Sequence, residues 1–189
     1  MWVEPRLFGG WLTYRPVLAL RRREVPTPET DPDRIKNLVE KLPEVYQPIY
    51  GHPEFTQRAS RACDDRLAAI VRCYDSLAAL LGRPLKVLDL GCAQGYFGFG
   101  LAARGAQVHG VDQLEANVEL CRKLAAENPK LQATFEVGSA EEAIADLEPE
   151  AYDLILGLSV LHHVIHAKGQ AEVGALIERA SFCVGALIL

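Results

Sequence analysis

No stretch of this sequence approaches the about 20 consecutive apolar residues needed to span a bilayer, which argues against a membrane-crossing helix. Cysteine is sparse and scattered. Cys63, Cys73, Cys92, Cys121 and Cys183 are odd in number and contain no C-x-x-C pair. That fits neither a disulfide framework nor a zinc pattern, and it suits a reducing cytoplasm. The start lacks the order of a signal peptide, because Arg21-Arg22-Arg23 follows the apolar stretch instead of preceding it. Basic charge is not in excess: the net charge is −5, which argues against a broad nucleic-acid-binding surface and leaves a small-molecule site open. No internal repeat or low-complexity tract is present. What remains is a globular composition, 49% hydrophobic and 24% charged over 189 residues, long enough for one α/β domain with a true core.

Two parts are expected along the chain. Residues 1–31, with Trp2, Phe8, Trp11, Tyr14, several arginines and the linker signal Pro26-Thr27-Pro28, follow neither helical nor strand period and read as a poorly ordered leader. Residues 32–189 read as the folded domain. A short helix over 33–42 precedes a loop at 46–53, and a long helix is predicted over 57–81. In it Leu67, Ile70, Val71, Tyr74, Leu77 and Leu81 recur at three- and four-residue steps, and Gly82 closes it. Strands over 85–90, 107–111, 133–137, 153–157 and 184–189 then alternate with helices near 97–104, 115–128, 141–147 and 170–182. Such alternation implies a mostly parallel sheet covered by helices on both faces.

The chemistry begins where the first strand ends, at Asp89-Leu90-Gly91-Cys92-Ala93-Gln94-Gly95. Gly91 permits a sharp βα turn, and small residues at Gly91 and Ala93 let a ligand approach the main chain. A dinucleotide site would space its glycines as G-x-G-x-x-G to seat a pyrophosphate on the helix N-terminus. Here the spacing is Gly91-x-x-x-Gly95 with an acid two residues before the first glycine. That carboxylate repels a pyrophosphate but suits a ligand with an ammonium and a sulfonium, which favours S-adenosyl-L-methionine. Asp112, about twenty residues on at the next strand's end, is placed to accept hydrogen bonds from ribose hydroxyls.

These residues resemble the class I methyltransferase superfamily from about residue 85 to 189, with its Rossmann-like fold. The resemblance implies that Asp89 holds the methionyl amine directly or through water, that Gly91, Ala93 and Gly95 line the methionine side, and that Asp112 grips the ribose with Gln113 and Asn117 beside it. It places Gly138, Ser139, Ala140 and Glu141 beside the adenine and Leu158 against the cofactor. Superfamily members often carry Asp where Ser139 stands and Gly where Ala93 stands. His162 and His163 are expected at the acceptor end, either positioning the acceptor or abstracting its proton. His162 and His166 have the i, i+4 spacing of a metal pair but lack further ligands, so no metal is expected.

Three further stretches are similar to a narrower family: 42–54 (LPEVYQPIYGHPE), 80–85 (LLGRPL) and 157–163 (GLSVLHH). With the glycine turn they resemble the methyltransferase half of bifunctional methyltransferase–kinases that terminate O-antigen polysaccharides in Gram-negative bacteria. The resemblance adds Tyr46, Gln47 and Arg66 to the cofactor site, Arg66 pairing with the methionyl carboxylate. It implies methylation of a terminal sugar or sugar phosphate, a polysaccharide polymerase at the inner membrane as partner, and a cytoplasmic location peripheral to that membrane. A phosphate acceptor needs alignment and cationic groups, for which His163, His166 and Lys168 are available, whereas a hydroxyl needs a base.

The sequence ends at Ala186-Leu187-Ile188-Leu189, inside the expected fifth strand. The expectation is a domain cut short after strand five, with its cofactor pocket complete, its acceptor side reduced and no kinase activity. The alternatives are a nicotinamide-dependent oxidoreductase and a cofactor-binding module without turnover.

Overall fold

The computed structural model describes residues 32–189; the leader expected over 1–31 lies outside the described residues. Five strands, β1 (Lys86–Leu90), β2 (Gln107–Asp112), β3 (Ala133–Val137), β4 (Leu154–Leu156) and β5 (Ala186–Ile188), form one sheet in the order β3-β2-β1-β4-β5. Every neighbouring pair is parallel, with Asp89 in register with Gly110 of β2 and with Leu156 of β4. The parallel sheet expected from the alternation of elements is therefore present. β1 lies at its centre, which is why Val87, Leu88 and Leu90 are all buried.

Helices cover both faces. On one side α1 (Pro32–Lys41), α2 (Asp64–Leu81), α3 (Tyr96–Ala102) and α4 (Glu115–Glu127) bury Val87, Val108 and Phe135 under Tyr74, Phe99, Leu101 and Leu124. On the other, α5 (Ala140–Ala145), α6 (Leu161–Lys168) and α7 (Gln170–Cys183) pack Ile144, Val164, Val173 and Leu176 onto Leu88, Leu90, Val111 and Ile155. The chain reverses its direction of travel across the sheet between β1 and β4, so a crevice opens at the carboxyl ends of these strands. At their amino ends, Arg83 forms a forked pair with Asp153 (2.8 and 2.7 Å), whose Oδ2 also accepts from the Lys86 amide at 2.8 Å.

Three boundaries differ from the sequence reading. The long helix begins at Asp64, not near residue 57, because Pro53–Arg58 forms a separate 3-10 helix and the Ser60 amide then bonds the Val45 carbonyl at 2.8 Å. Asp64 and Asp65 in its first turn mark the true start. The fourth and fifth strands are shorter than expected, three residues each. Residues 161–168, read as loop, form α6. Four of the five cysteines are buried; Cys73 on α2 is exposed.

Candidate functional site

A cleft of about 940 Å³ opens at the carboxyl edge of β1, β2 and β4. Its walls bring together Tyr46, Arg66, Gly91, Ala93, Asp112, Gln113, Asn117, Gly138, Ala140, Glu141, Leu158, His162 and His163, thirteen residues singled out from sequence. The other four stand behind the wall. Asp89 and Gln47 are buried, Gly95 begins α3 packed against Cys121 and Phe99, and Ser139 caps α5.

The turn after β1 is the floor. Gly91 has φ +64°, and a Cβ there would lie 2.9 Å from Val160 Cγ2, so only glycine fits between β1 and the entry to α6. Ala93 follows with φ +49°, and Ser159 on the opposite wall has φ +59°. These are two of the three non-glycine residues with left-handed backbone among the described residues, and both line the cleft. Such strain persists where surrounding structure holds it, characteristically at binding sites.

Two acids underlie the turn. Asp112 at the end of β2 accepts from the Ala93 amide through Oδ2 (2.8 Å), and through Oδ1 from the Leu114 amide (2.9 Å) and Asn117 Nδ2 (3.1 Å). Asp89 is 3% exposed, and its Oδ2 has no hydrogen-bond partner. Burial, and then the charge of Asp112, push its carboxyl up to about 7, against a hydrogen bond from the Gly98 amide. A buried acid with one unserved oxygen, two residues before Gly91 and facing Gly98 of α3, fits a ligand bearing positive charge behind the cleft floor.

The segment after α1 closes one end. The Tyr46 and Gln47 amides both donate to Gln94 Oε1, at 3.1 and 2.9 Å, while Gln47 Oε1 accepts from the Tyr96 amide at 3.0 Å at the start of α3. Gln47 is thus a strut behind the cleft. Arg61 lies over the Tyr46 ring at 5.8 Å, and Arg66 lies over Phe97 at 5.6 Å and donates to Cys63 Sγ at 3.6 Å. Among the described residues neither guanidinium is in an ion pair, which leaves two cationic forks at the cleft for an anionic ligand group.

At the other end the His162 and His163 rings meet at a tilt of 39°, centroids 3.9 Å apart, in the first turn of α6. His166 and Lys168 are not on the cleft wall, and Lys168 Nζ is paired with Glu141 at 3.0 Å, so of the cations proposed for an acceptor only His163 stands in place. Ser139 is not turned toward a ligand either. Its Oγ accepts from the Glu142 amide at 3.1 Å in a capping box, the residue type that starts a helix best. Among the described residues no group of three or more His, Cys, Asp or Glu is arranged to hold a metal ion.

Sequence reasoning passed over Gln94, Arg61, Glu44, Leu114, Ser159 and Val160, which also line the cleft. Gln94 sits inside the quoted turn, at one of the three positions between Gly91 and Gly95 that the spacing leaves open. Arg61 lies in a short irregular stretch with no periodicity to mark it.

A family model described as "Methyltransferase domain" matches residues 82–176. The chain is 50% identical over 155 residues to the O-antigen chain terminator bifunctional methyltransferase/kinase WbdD of Escherichia coli, covering 82% of this chain and 22% of that protein. A crystal structure of WbdD superposes with a TM-score of 0.79 at 49% identity, covering 79% of this chain and 34% of that one. The ubiquinone biosynthesis O-methyltransferase of Idiomarina loihiensis is 39% identical over 79 residues, 42% of this chain and 32% of that protein. The chain therefore spans about a fifth of the length of the Escherichia coli relative.

Proposed function

Because this chain belongs to the methyltransferase-domain family, we propose that its cleft binds S-adenosyl-L-methionine and that the methyl acceptor is the terminal sugar, or sugar phosphate, of a bacterial O-antigen polysaccharide. The observation that carries the donor assignment is the buried Asp89 oxygen without a partner, two residues before the Cβ-free position at Gly91. A pyrophosphate cofactor would meet repulsion there, whereas a methionyl ammonium meets an acceptor, directly or through water.

The remaining roles follow from chemistry along the cleft. Asp112, whose Oδ1 already accepts two bonds and Oδ2 one, retains an Oδ2 lone pair for a ribose hydroxyl. Gln113 and Leu114 flank the nucleoside, and Gly138, Ala140 and Glu141 wall the adenine end with Leu158 beneath it. Arg66 takes the carboxylate. When bound, the cofactor supplies a methyl group made electrophilic by its sulfonium; the S–CH3 bond breaks as an O–CH3 bond forms, leaving S-adenosylhomocysteine. The protein's work is to hold the acceptor oxygen in line and keep water out. A phosphate monoester is already anionic and needs only positioning, for which His163 and Arg61 are at hand. A hydroxyl acceptor would pass its proton to His162 or His163.

We further place the reaction in the cytoplasm beside the inner membrane, with a polysaccharide polymerase as partner, on the likeness to an O-antigen chain terminator. No helix of the described residues is long and apolar enough to cross a membrane. Titration calorimetry with S-adenosylhomocysteine and NADH tests the donor: binding of the first alone is expected, and binding of NADH alone overturns the assignment. Transfer of labelled methyl to phosphorylated and unphosphorylated saccharides tests the acceptor. Donor binding with transfer to neither would leave a binding module without turnover.

A further inference from the structure

Gln94 is 2% exposed and Asn117 7%, so two uncharged amides lie buried between the entry segment and the floor of the cleft. Their bonds run in one direction. Gln94 Oε1 accepts from the Tyr46 and Gln47 amides (3.1 and 2.9 Å). Its Nε2 donates to Asn117 Oδ1 at 2.7 Å and to the Glu44 carbonyl at 3.4 Å. Asn117 Nδ2 donates in turn to Asp112 Oδ1 at 3.1 Å, and Asp112 Oδ2 accepts from the Ala93 amide at 2.8 Å.

Each link sets the orientation of the next. With both main-chain amides on Oε1, Gln94 has only its NH2 end for Asn117. Asn117 then receives on oxygen and must present its own NH2 to Asp112. Bonds aligned head to tail polarise one another, and this line ends on a carboxylate, where the alignment is strongest. Residues 44–47 close one end of the cleft and Asp112 underlies its floor, and they are 65 residues or more apart in the chain. A shorter polar residue at 94 would not reach Asn117, and an acid would face Asn117 Oδ1 with an oxygen that cannot donate.

We propose that Gln94 is a positioning residue that couples the 44–47 segment to Asp112 through Asn117, so that filling the nucleoside end of the cleft also fixes the segment closing its other end. The coupling rests on the donor assignment above, and it gives Gln94 a role in donor binding through residues other than itself. Occupation of Asp112 by ribose hydroxyls tightens the orientation of Asn117; Asn117 tightens Gln94; Gln94 holds the Tyr46 and Gln47 amides. Tyr46 would thereby be seated before the methionyl end arrives.

The experiment uses adenosine, a probe that reaches the ribose and adenine end but carries no methionyl group. Hydrogen exchange at the Tyr46 and Gln47 amides is measured without and with saturating adenosine in the wild-type chain, Gln94→Glu and Asn117→Ala. In wild type, exchange is expected to slow by about fivefold or more, the lower end of measured site-to-site couplings. Both variants should lose that response. Asn117→Ala keeps the Gln94 bonds to the two amides and also serves if Gln94→Glu does not fold; because Asn117 lines the cleft, calorimetry fixes the adenosine concentration that saturates each variant, and only a response lost at saturation supports the coupling. A purely structural Gln94 would shift resting exchange and leave the response. Equal slowing in all three chains, or bound adenosine with no slowing in wild type, overturns the coupling and leaves the donor assignment intact. Failure of wild type to bind both adenosine and S-adenosylhomocysteine overturns the donor assignment and the coupling with it.

Discussion

Asp112 Oδ2 accepts a hydrogen bond from the Ala93 amide at 2.8 Å, tying the end of β2 to the turn that follows β1 across 19 residues of sequence. The same carboxylate also receives the Leu114 amide and Asn117 Nδ2. It therefore shapes the turn and keeps one Oδ2 lone pair open toward a ligand. Left-handed backbone at Ala93, φ +49°, is held in part by this bond.

Asp112→Ala should accordingly weaken S-adenosylhomocysteine by about 1–3 kcal/mol, the scale for loss of hydrogen bonds to a charged group. Titration calorimetry reads the change directly. An unaltered dissociation constant would show that the nucleoside does not meet Asp112.

Gly91→Val places a side chain where a Cβ already meets Val160 Cγ2 at 2.9 Å, on backbone with φ +64°. Strain of about 1–2 kcal/mol is expected from the conformation alone. The variant should melt earlier than wild type and lose S-adenosylhomocysteine binding. Retained affinity would mean that the ligand does not lie over this turn.

Burial, and then the charge of the neighbouring Asp112, push the Asp89 carboxyl up to about 7. A ligand ammonium above it favours the ionised form, so binding should release a proton. Affinity for S-adenosylhomocysteine should rise from pH 6 to pH 8 and level off above. Calorimetry at pH 6 in buffers of different ionisation enthalpy would reveal the proton; affinity flat across that range counts against the contact.

How far these features could be read in advance depends on where their partners lie. The strands were legible because central parallel strands are runs of apolar residues, as at Val87, Leu88 and Leu90. The sharp turn at Gly91 and the place of Asp112 at the end of β2 were legible because both positions are written in local spacing. Gln94 was not, since its meaning depends on Tyr46, Gln47 and Asn117, up to 48 residues away. α6 escaped notice for a different reason: it begins without a side-chain cap, and its histidines and β-branched Val164 and Ile165 carry weak helix propensity. Ser139 was read as a ligand-side residue; with Glu142 three positions on, it also obeys the helix-capping rule.

His52 bridges Glu54 (2.9 Å) and Glu127 (3.0 Å), fastening the chain beyond the entry segment to the end of α4. Burial lowers its pKa, but the hydrogen bonds and charges of Glu127 and Glu54 together outweigh that and raise it above 6.5. With the folded value above the unfolded one, the bridge contributes fully below pH 6.5 and fades as pH rises through the folded value. His52→Asn should cost about 0.5–1 kcal/mol at pH 6 and less at pH 9. Urea denaturation at the two pH values checks this; an equal deficit at both would show that His52 acts without its charge.

The forked pair of Arg83 and Asp153 sits at the amino ends of β1 and β4, the full length of the strands away from the cleft. That separation gives the domain a handle and a working edge. Surface attachment, fusion to another domain or charge engineering at the Arg83 side would orient the molecule with its cleft outward. The two tasks can then be adjusted independently, one by the residues that anchor the sheet and the other by those that meet the ligand.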